Sequence, residues 1–261
     1  PQIFTIYSVY GCGLNGTLDL RGLTGLGGIF WAQNNTNLTQ ILNPTSSRTF
    51  SVYNADHCGL DGSLDLRGLT GLGGDFRVYL NPKLTKMYLP TSSTVFTYFY
   101  AQDCSLNGVL DISGLTGLGG TFDVGGNGNL TQILNPISSQ TFNDYYADYC
   151  NLTGTLDLSS LTGLGGAIIL YENPNLTQII NPSSNKNVTV YWASGCDLTG
   201  TLDFRPLKRL GGNEDVQNNP NLTQVLNPDS SNAFTTYNVR LCVITGTLDI
   251  SSLTGCAQYW L

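Results

Sequence analysis

One spacing governs this chain. Cysteines stand at 12, 58, 104, 150, 196 and 242, each 46 residues after the last, and asparagines 35, 81, 127, 173 and 219 lie halfway between them. The repeating unit is therefore 23 residues in two alternating flavours, and a chain of 261 residues holds about eleven of them (261/23). A period of this length marks a supersecondary unit that cannot bury its apolar side alone and must stack on its neighbours. No linker, charge block or low-complexity segment interrupts the count, so 1–261 reads as a single solenoid domain.

The Cys flavour runs Phe96, Phe99, Ala101, Cys104, Leu106 and recurs as Phe142, Tyr145, Ala147, Cys150, Leu152; the Asn flavour runs Phe122, Val124, Asn127, Leu130, Thr131. These units resemble leucine-rich repeats, whose pattern is L-x-x-L-x-L-x-x-N/C-x-L, over almost the whole chain. The resemblance implies a mainly β, right-handed solenoid of about 11 coils with a concave parallel β-sheet, the surface on which that family usually binds ligands. It also implies that the ladder Asn gives its amide to backbone groups inside the turn, while Cys serves there as a small buried residue. Leu18-Asp19-Leu20 alternates as a second short strand on the convex side would. Asn-Pro at 43–44, 135–136, 181–182 and 227–228 and the Leu-Gly-Gly copies mark corners. No stretch keeps a helical period, so little or no helix is expected.

Composition removes several classes of function. Eighteen carboxylates against eleven Lys plus Arg leave a net charge of −7, the wrong sign for holding phosphates, and Arg205, Lys208 and Arg209 make too small a basic cluster for nucleic acid. A single histidine, His57, nearly excludes imidazole chemistry and multi-histidine metal sites; beside Cys58 it lacks the third group that would orient a nucleophile. Without a C-x-x-C pair no zinc site is expected. The Asp column (Asp19, Asp65, Asp111, Asp157, Asp203, Asp249) offers single carboxylates about 10 Å apart, short of the 6–8 oxygens calcium takes. It reads as a solvated row that keeps a β surface soluble. Gly11-x-Gly13-x-x-Gly16 precedes a strand pattern, not the helix a dinucleotide fingerprint needs. No cofactor and no metal are expected, and the chain reads as non-enzymatic. Cysteines two coils apart lie roughly 10 Å from one another, beyond the roughly 7 Å a disulfide spans, so the ladder thiols are expected to be free; Cys256 stands out of phase.

Three columns vary from unit to unit: the positions two, four and six before each ladder residue, which side-chain alternation places opposite the buried columns. From them the candidate ligand-binding residues are Trp31, Asn54, Asp56, Arg77, Tyr79, Tyr98, Tyr100, Gln102, Asp123, Asp144, Tyr146, Asp148, Ile169, Tyr171, Val190 and Trp192. Large amphipathic rings among Asn, Asp and Gln are the mixture that diversified binding surfaces use. Leu-Thr-Gly-Leu-Gly-Gly, by contrast, is identical at 23–28, 69–74, 115–120 and 161–166. Neutral drift should blur both surfaces, whereas one is fixed and the other scrambled, as selection on one face would leave it. The expected partner is a protein or carbohydrate ligand.

Two structural readings stand beside this one. A thread of threonines (Thr39, Thr85, Thr131, Thr177, Thr223) suggests a regular array for ice, although an arc suits a flat lattice poorly. Ends without a polar capping unit suggest head-to-tail stacking into a filament or surface coat. No apolar run approaches the roughly 20 residues of a membrane-spanning helix. The chain opens without Met or a leader and is expected to be a processed chain or part of a longer protein. Few lysines and many Gly, Thr, Asn and Tyr point to an extracellular or cell-surface setting; the sequons at Asn15, Asn37, Asn129, Asn151, Asn175, Asn187 and Asn221 are mostly by-products of the repeated Asn-Leu-Thr and matter only if the chain passes a glycosylating compartment.

Overall fold

In a computed structural model of the protein, residues 4–261 are described apart from 24, 46–48, 92–94, 116, 138–141, 185, 230–233 and 254. Within each of two units, each coil begins with a strand that pairs in parallel with the corresponding strand of the next coil. The chain divides into two compact units, Pro1–Pro136 and Ile137–Leu261. The first carries the strands Phe4–Ser8, Leu26–Trp31, Phe50–Asn54, Gly74–Arg77, Phe96–Tyr100 and Leu118–Asp123. The second carries Phe142–Tyr146, Gly166–Ile169, Val188–Trp192, Leu210–Asp215, Phe234–Asn238 and Gln258–Trp260. Short two-stranded parallel ladders, such as Asn15–Asp19 with Asn37–Leu42, form the other side of the coils. The expected second strand is therefore present, and the described residues include no helix. This is a parallel-strand β-solenoid with a 23-residue step.

The ladder residue joins each coil to the one before it. Asn127 Nδ2 donates to the carbonyls of Ala101 (2.9 Å) and Val124 (2.7 Å), and its Oδ1 accepts from the amide of Leu106 at 3.0 Å. Asn35, Asn81, Asn173 and Asn219 repeat this set, and all five side chains are fully buried. In the Cys coils the thiol reaches the carbonyl 26 residues back, as the amide does: Cys58 to Ala32 at 3.1 Å, Cys104 to Val78 at 3.3 Å, Cys196 to Leu170 at 3.4 Å. The ladder cysteine is thus a weak donor as well as a filler. Among the described residues none of the seven cysteines forms a disulfide. Burial raises Cys58 to about 11 and Cys104 and Cys196 to about 12, which keeps them protonated and unreactive at neutral pH.

The turn before the ladder residue is strained by the same amount in coil after coil. Asn34, His57, Leu80, Asp103, Tyr149, Glu172, Asn218 and Leu241 all take φ between +48° and +61°. His57 therefore occupies a turn position that recurs through the chain. The second glycine of each Leu-Gly-Gly has a different constraint. A Cβ on Gly28, Gly74, Gly120 or Gly212 would collide with the carbonyl oxygen of Thr5, Ser51, Thr97 or Thr189 in the preceding strand, at a φ of +62° to +68°. The Asp column is fixed as well, because all six carboxylates accept the backbone amide two residues on at 2.8–3.0 Å. These aspartates close a turn and do more than wet a surface. The Arg21 side chain, with its backbone amide, pulls Asp19 down to about 2. The constancy of this framework is a steric and hydrogen-bonding requirement.

Apolar columns stack from coil to coil behind the long strands. In the first unit Phe30, Tyr53, Phe76, Phe99 and Phe122 are in register, with successive centroids 4.8, 5.6, 4.9 and 5.3 Å apart. All five are fully buried, each stabilising by about 1.5–3 kcal/mol. A buried tyrosine needs a partner for its hydroxyl. Tyr53 donates to Asn43 Oδ1 at 3.1 Å, Tyr191 to Asn181 at 3.0 Å and Tyr237 to Asn227 at 3.3 Å, always ten residues back. Those asparagines in turn donate to the carbonyls of Asp65, Asp203 and Asp249, each at 2.9 Å. Where position 89 holds leucine, position 99 holds phenylalanine and no hydroxyl needs a partner.

The second unit breaks the apolar column once. Its in-register run is Tyr191, Glu214, Tyr237, and Glu214 is fully buried with no hydrogen-bond partner on either carboxyl oxygen among the described residues. Burial first, and the charge of Asp215 second, push its carboxyl well above the usual 4.5.

Two outcomes follow from this core. Tyr191→Phe should cost about 1 kcal/mol and Asn181→Leu about 2 kcal/mol in urea unfolding, with the double variant well short of their sum; strict additivity would contradict the pairing. For Glu214 the unfolded chain releases the proton near pH 4.3 and the folded protein does so only at higher pH. Stability from this group is full below pH 4.3 and falls as pH rises towards the folded value. The unfolding midpoint should therefore decline between pH 5 and 8, and Glu214→Gln should flatten that decline; an unchanged slope would count against it. The lowered aspartates act oppositely, below their usual 3.8.

Candidate binding face

Strict alternation from the position six before the ladder to the position two before it turns three columns outward. In one coil Tyr98, Tyr100 and Gln102 point away from the core while Phe99 and Ala101 are fully buried. In the first unit Trp31 and Tyr98 are exposed, and Arg77, Tyr79, Tyr100, Gln102 and Asp123 are half-buried. In the second unit Trp192 is exposed, and Asp144, Tyr146, Asp148, Ile169, Tyr171 and Val190 are half-buried. Asn54 and Asp56 depart from the expectation of contact residues. They are buried at 8% and 4%, and Asn54 Oδ1 accepts the Asp56 amide at 3.0 Å. They support the face from beneath. Asp144 has a similar bond, its Oδ1 accepting the amide of Ala167 at 2.9 Å.

The first unit gathers a charged and aromatic cluster. Arg77 makes a two-pronged pair with Asp75, at 2.7 and 2.8 Å, and its guanidinium lies 5.7 Å from the Tyr100 ring centre. Tyr98 and Tyr100 stack at 5.4 Å and 23°. Desolvation first, then Tyr98, raises the Tyr100 phenol; desolvation and Asp56 raise that of Tyr79. His57 Nδ1 lies 3.3 Å from Asp56 Oδ1, and its ring meets Tyr79 edge-on at 5.3 Å. The carbonyl oxygens of the Gln33 and Gln102 side chains are shut away from solvent and take no hydrogen bond among the described residues, a costly state unless a donor arrives.

The second unit has its own row of rings. Tyr149 meets Tyr171 edge-on at 4.9 Å, and Tyr171 meets Trp192 at 6.2 Å. Desolvation, followed by Asp148 and Tyr149, lifts Tyr171 to about 12. A residue the repeat count misses completes this row. The last strand pairs Thr236 with Gln258, Tyr237 with Tyr259 and Asn238 with Trp260, a step of 22 residues and not 23. Counting by 23 assigns Trp260 to the buried column; the one-residue contraction turns it outward, because a slip of one reverses every side chain of a strand. Trp260 is 46% exposed, with the Arg240 guanidinium 5.7 Å from its ring centre.

On the opposite side of the coils the threonines are engaged. Thr39, Thr85, Thr131, Thr177 and Thr223 donate to the carbonyls of Gly16, Gly62, Gly108, Gly154 and Gly200 at 2.9–3.1 Å. They join coil to coil, which weighs against a free array for ice. Among the described residues no three His, Cys, Asp or Glu side chains gather where they could hold a metal ion, and no helix is long and apolar enough to cross a membrane.

No protein-family model matches the chain, and no curated protein matches it. A solved structure that does match is the functional domain of InlJ from Listeria monocytogenes, which includes a cysteine ladder. The two are 19% identical over 92% of this chain, with a TM-score of 0.31, and the match spans 59% of the InlJ chain.

Proposed function

We propose that this chain is a leucine-rich-repeat recognition protein that works without catalysis. It binds a protein or carbohydrate ligand through the outward columns of its long strands, outside the cell or at its surface. One observation carries this reading. Nine aromatic residues stand in the outward columns: Tyr10, Trp31, Tyr79, Tyr98, Tyr100, Tyr146, Tyr171, Trp192 and Trp260. The short strands on the other side hold Tyr88 alone among the described residues. Solvent selects against half-exposed rings on a surface with no partner, and clustered Trp, Tyr and Arg are the usual anchors of a contact surface. Rigid backbone pairing beneath them keeps the entropy lost on binding low.

The test is binding of labelled protein to a glycan array and to a displayed library of cell-surface proteins. Tyr100, Tyr146 and Trp192 replaced together by Ala should reduce binding at least about tenfold, with the thermal midpoint close to that of the parent. Unchanged binding by the folded triple variant would remove the assignment of this face.

A further inference from the structure

Within the second unit one outward column reads Trp192, Asp215, Asn238, Trp260 across four adjacent strands. At about 4.8 Å per strand, the tryptophan backbones stand about 14 Å apart with two polar side chains between them. With Asn213, Thr236 and the buried Glu214 these residues line a depression of about 230 Å³. That is smaller than the roughly 300–1,000 Å³ of sites for drug-sized molecules, and it suits a single ring.

The floor is already ordered. Asp215 Oδ1 accepts the Gln217 amide at 3.0 Å, and Oδ2 lies 3.3 Å from Gln217 Nε2. Asn213 Oδ1 accepts from Thr236 at 3.1 Å, and Asn238 Oδ1 accepts the Arg240 amide at 3.2 Å. With both amide oxygens engaged, the two asparagines present N–H groups, one of those on Asn238 being turned to the Asp215 carboxylate, whose remaining lone pairs can accept from a ligand. An apolar side chain seated here would cover these groups without partnering them. A quaternary ammonium would make no hydrogen bond to them, and it would meet the Arg240 guanidinium already on the Trp260 ring. A neutral sugar ring satisfies both halves of the site, with an apolar C–H face for an indole and hydroxyls for the floor.

We propose that the depression between Trp192 and Trp260 is a subsite for one neutral pyranose unit of a glycan, stacked on an indole and held by Asp215, Asn213 and Asn238. This rests on the reading of the outward columns as a recognition face and names the ligand chemistry at one place on it.

Two of the chain's three tryptophans line the site, so indole fluorescence reports it directly. The probes are methyl glycosides of galactose, mannose and N-acetylglucosamine, with tetramethylammonium chloride as the cationic comparison. At least one glycoside should give a saturable change, weakened at least about tenfold by Trp192→Ala, by Trp260→Ala and by Asp215→Ala. Trp31→Ala, in the same column of the first unit, should leave the affinity unaltered. Saturation by tetramethylammonium and not by any glycoside would overturn the sugar assignment, as would equal weakening by Trp31→Ala. Absence of any response would overturn the subsite. In either case, array or library binding that is lost on replacing Tyr100 and Tyr146 alone would show that the recognition face survives the failure of this subsite.

Discussion

A side-chain amide placed once in every second coil ties this structure together. Each ladder asparagine binds two carbonyls and one amide drawn from its own coil and the one before it, at 2.7–3.2 Å and out of contact with water. Three backbone groups that a tight turn would otherwise leave buried and unpaired are satisfied by one residue. The turn geometry follows, with its left-handed residue directly before the ladder, and so does the register of the long strands. In alternate coils cysteine keeps one of the three bonds through sulfur. The solenoid thus alternates strong and weak joints.

This framework leaves very different freedom on its surfaces. The second glycine of Leu-Gly-Gly cannot vary because a Cβ would strike the neighbouring strand, and the aspartate column is held because it closes a turn. Constancy there is a property of the fold and carries no information about a ligand. The outward columns bear no comparable repeated constraint, and local backbone or side-chain bonds occur there only at single positions such as Asn54, Asp56, Asp123, Asp144, Asn213, Asp215 and Asn238. The functional reading therefore rests on what the free positions contain: rings stacked on rings, an arginine paired and stacked, and amide oxygens shut from solvent with no donor among the described residues.

Much of this was legible in the chain before any coordinates. The 23-residue period, the ladder, the buried aromatic columns and the three outward columns follow from spacing and alternation alone. What escaped had a physical cause. The tyrosine–asparagine bonds join residues ten apart on different sides of a coil, a distance at which no strand or helix period operates; the signal was the joint change to Leu89 and Phe99. Trp260 escaped because its coil is one residue short, and the burial of Asn54 and Asp56 depends on neighbours that a column count does not see. Glu214 was invisible because a carboxylate in a Phe and Tyr column looks like surface until the strand is placed.

The most direct test compares the equilibrium unfolding of two single variants. Asn127→Ala strands three buried backbone groups and should cost about 3 kcal/mol or more, whereas Tyr98→Ala on the outward face should change stability by only about 0.5 kcal/mol. That result would confirm that the ladder holds the coils and leaves the face to its ligand. A small loss at Asn127 with a large one at Tyr98 would contradict the account, because the face would then be part of what keeps the protein folded.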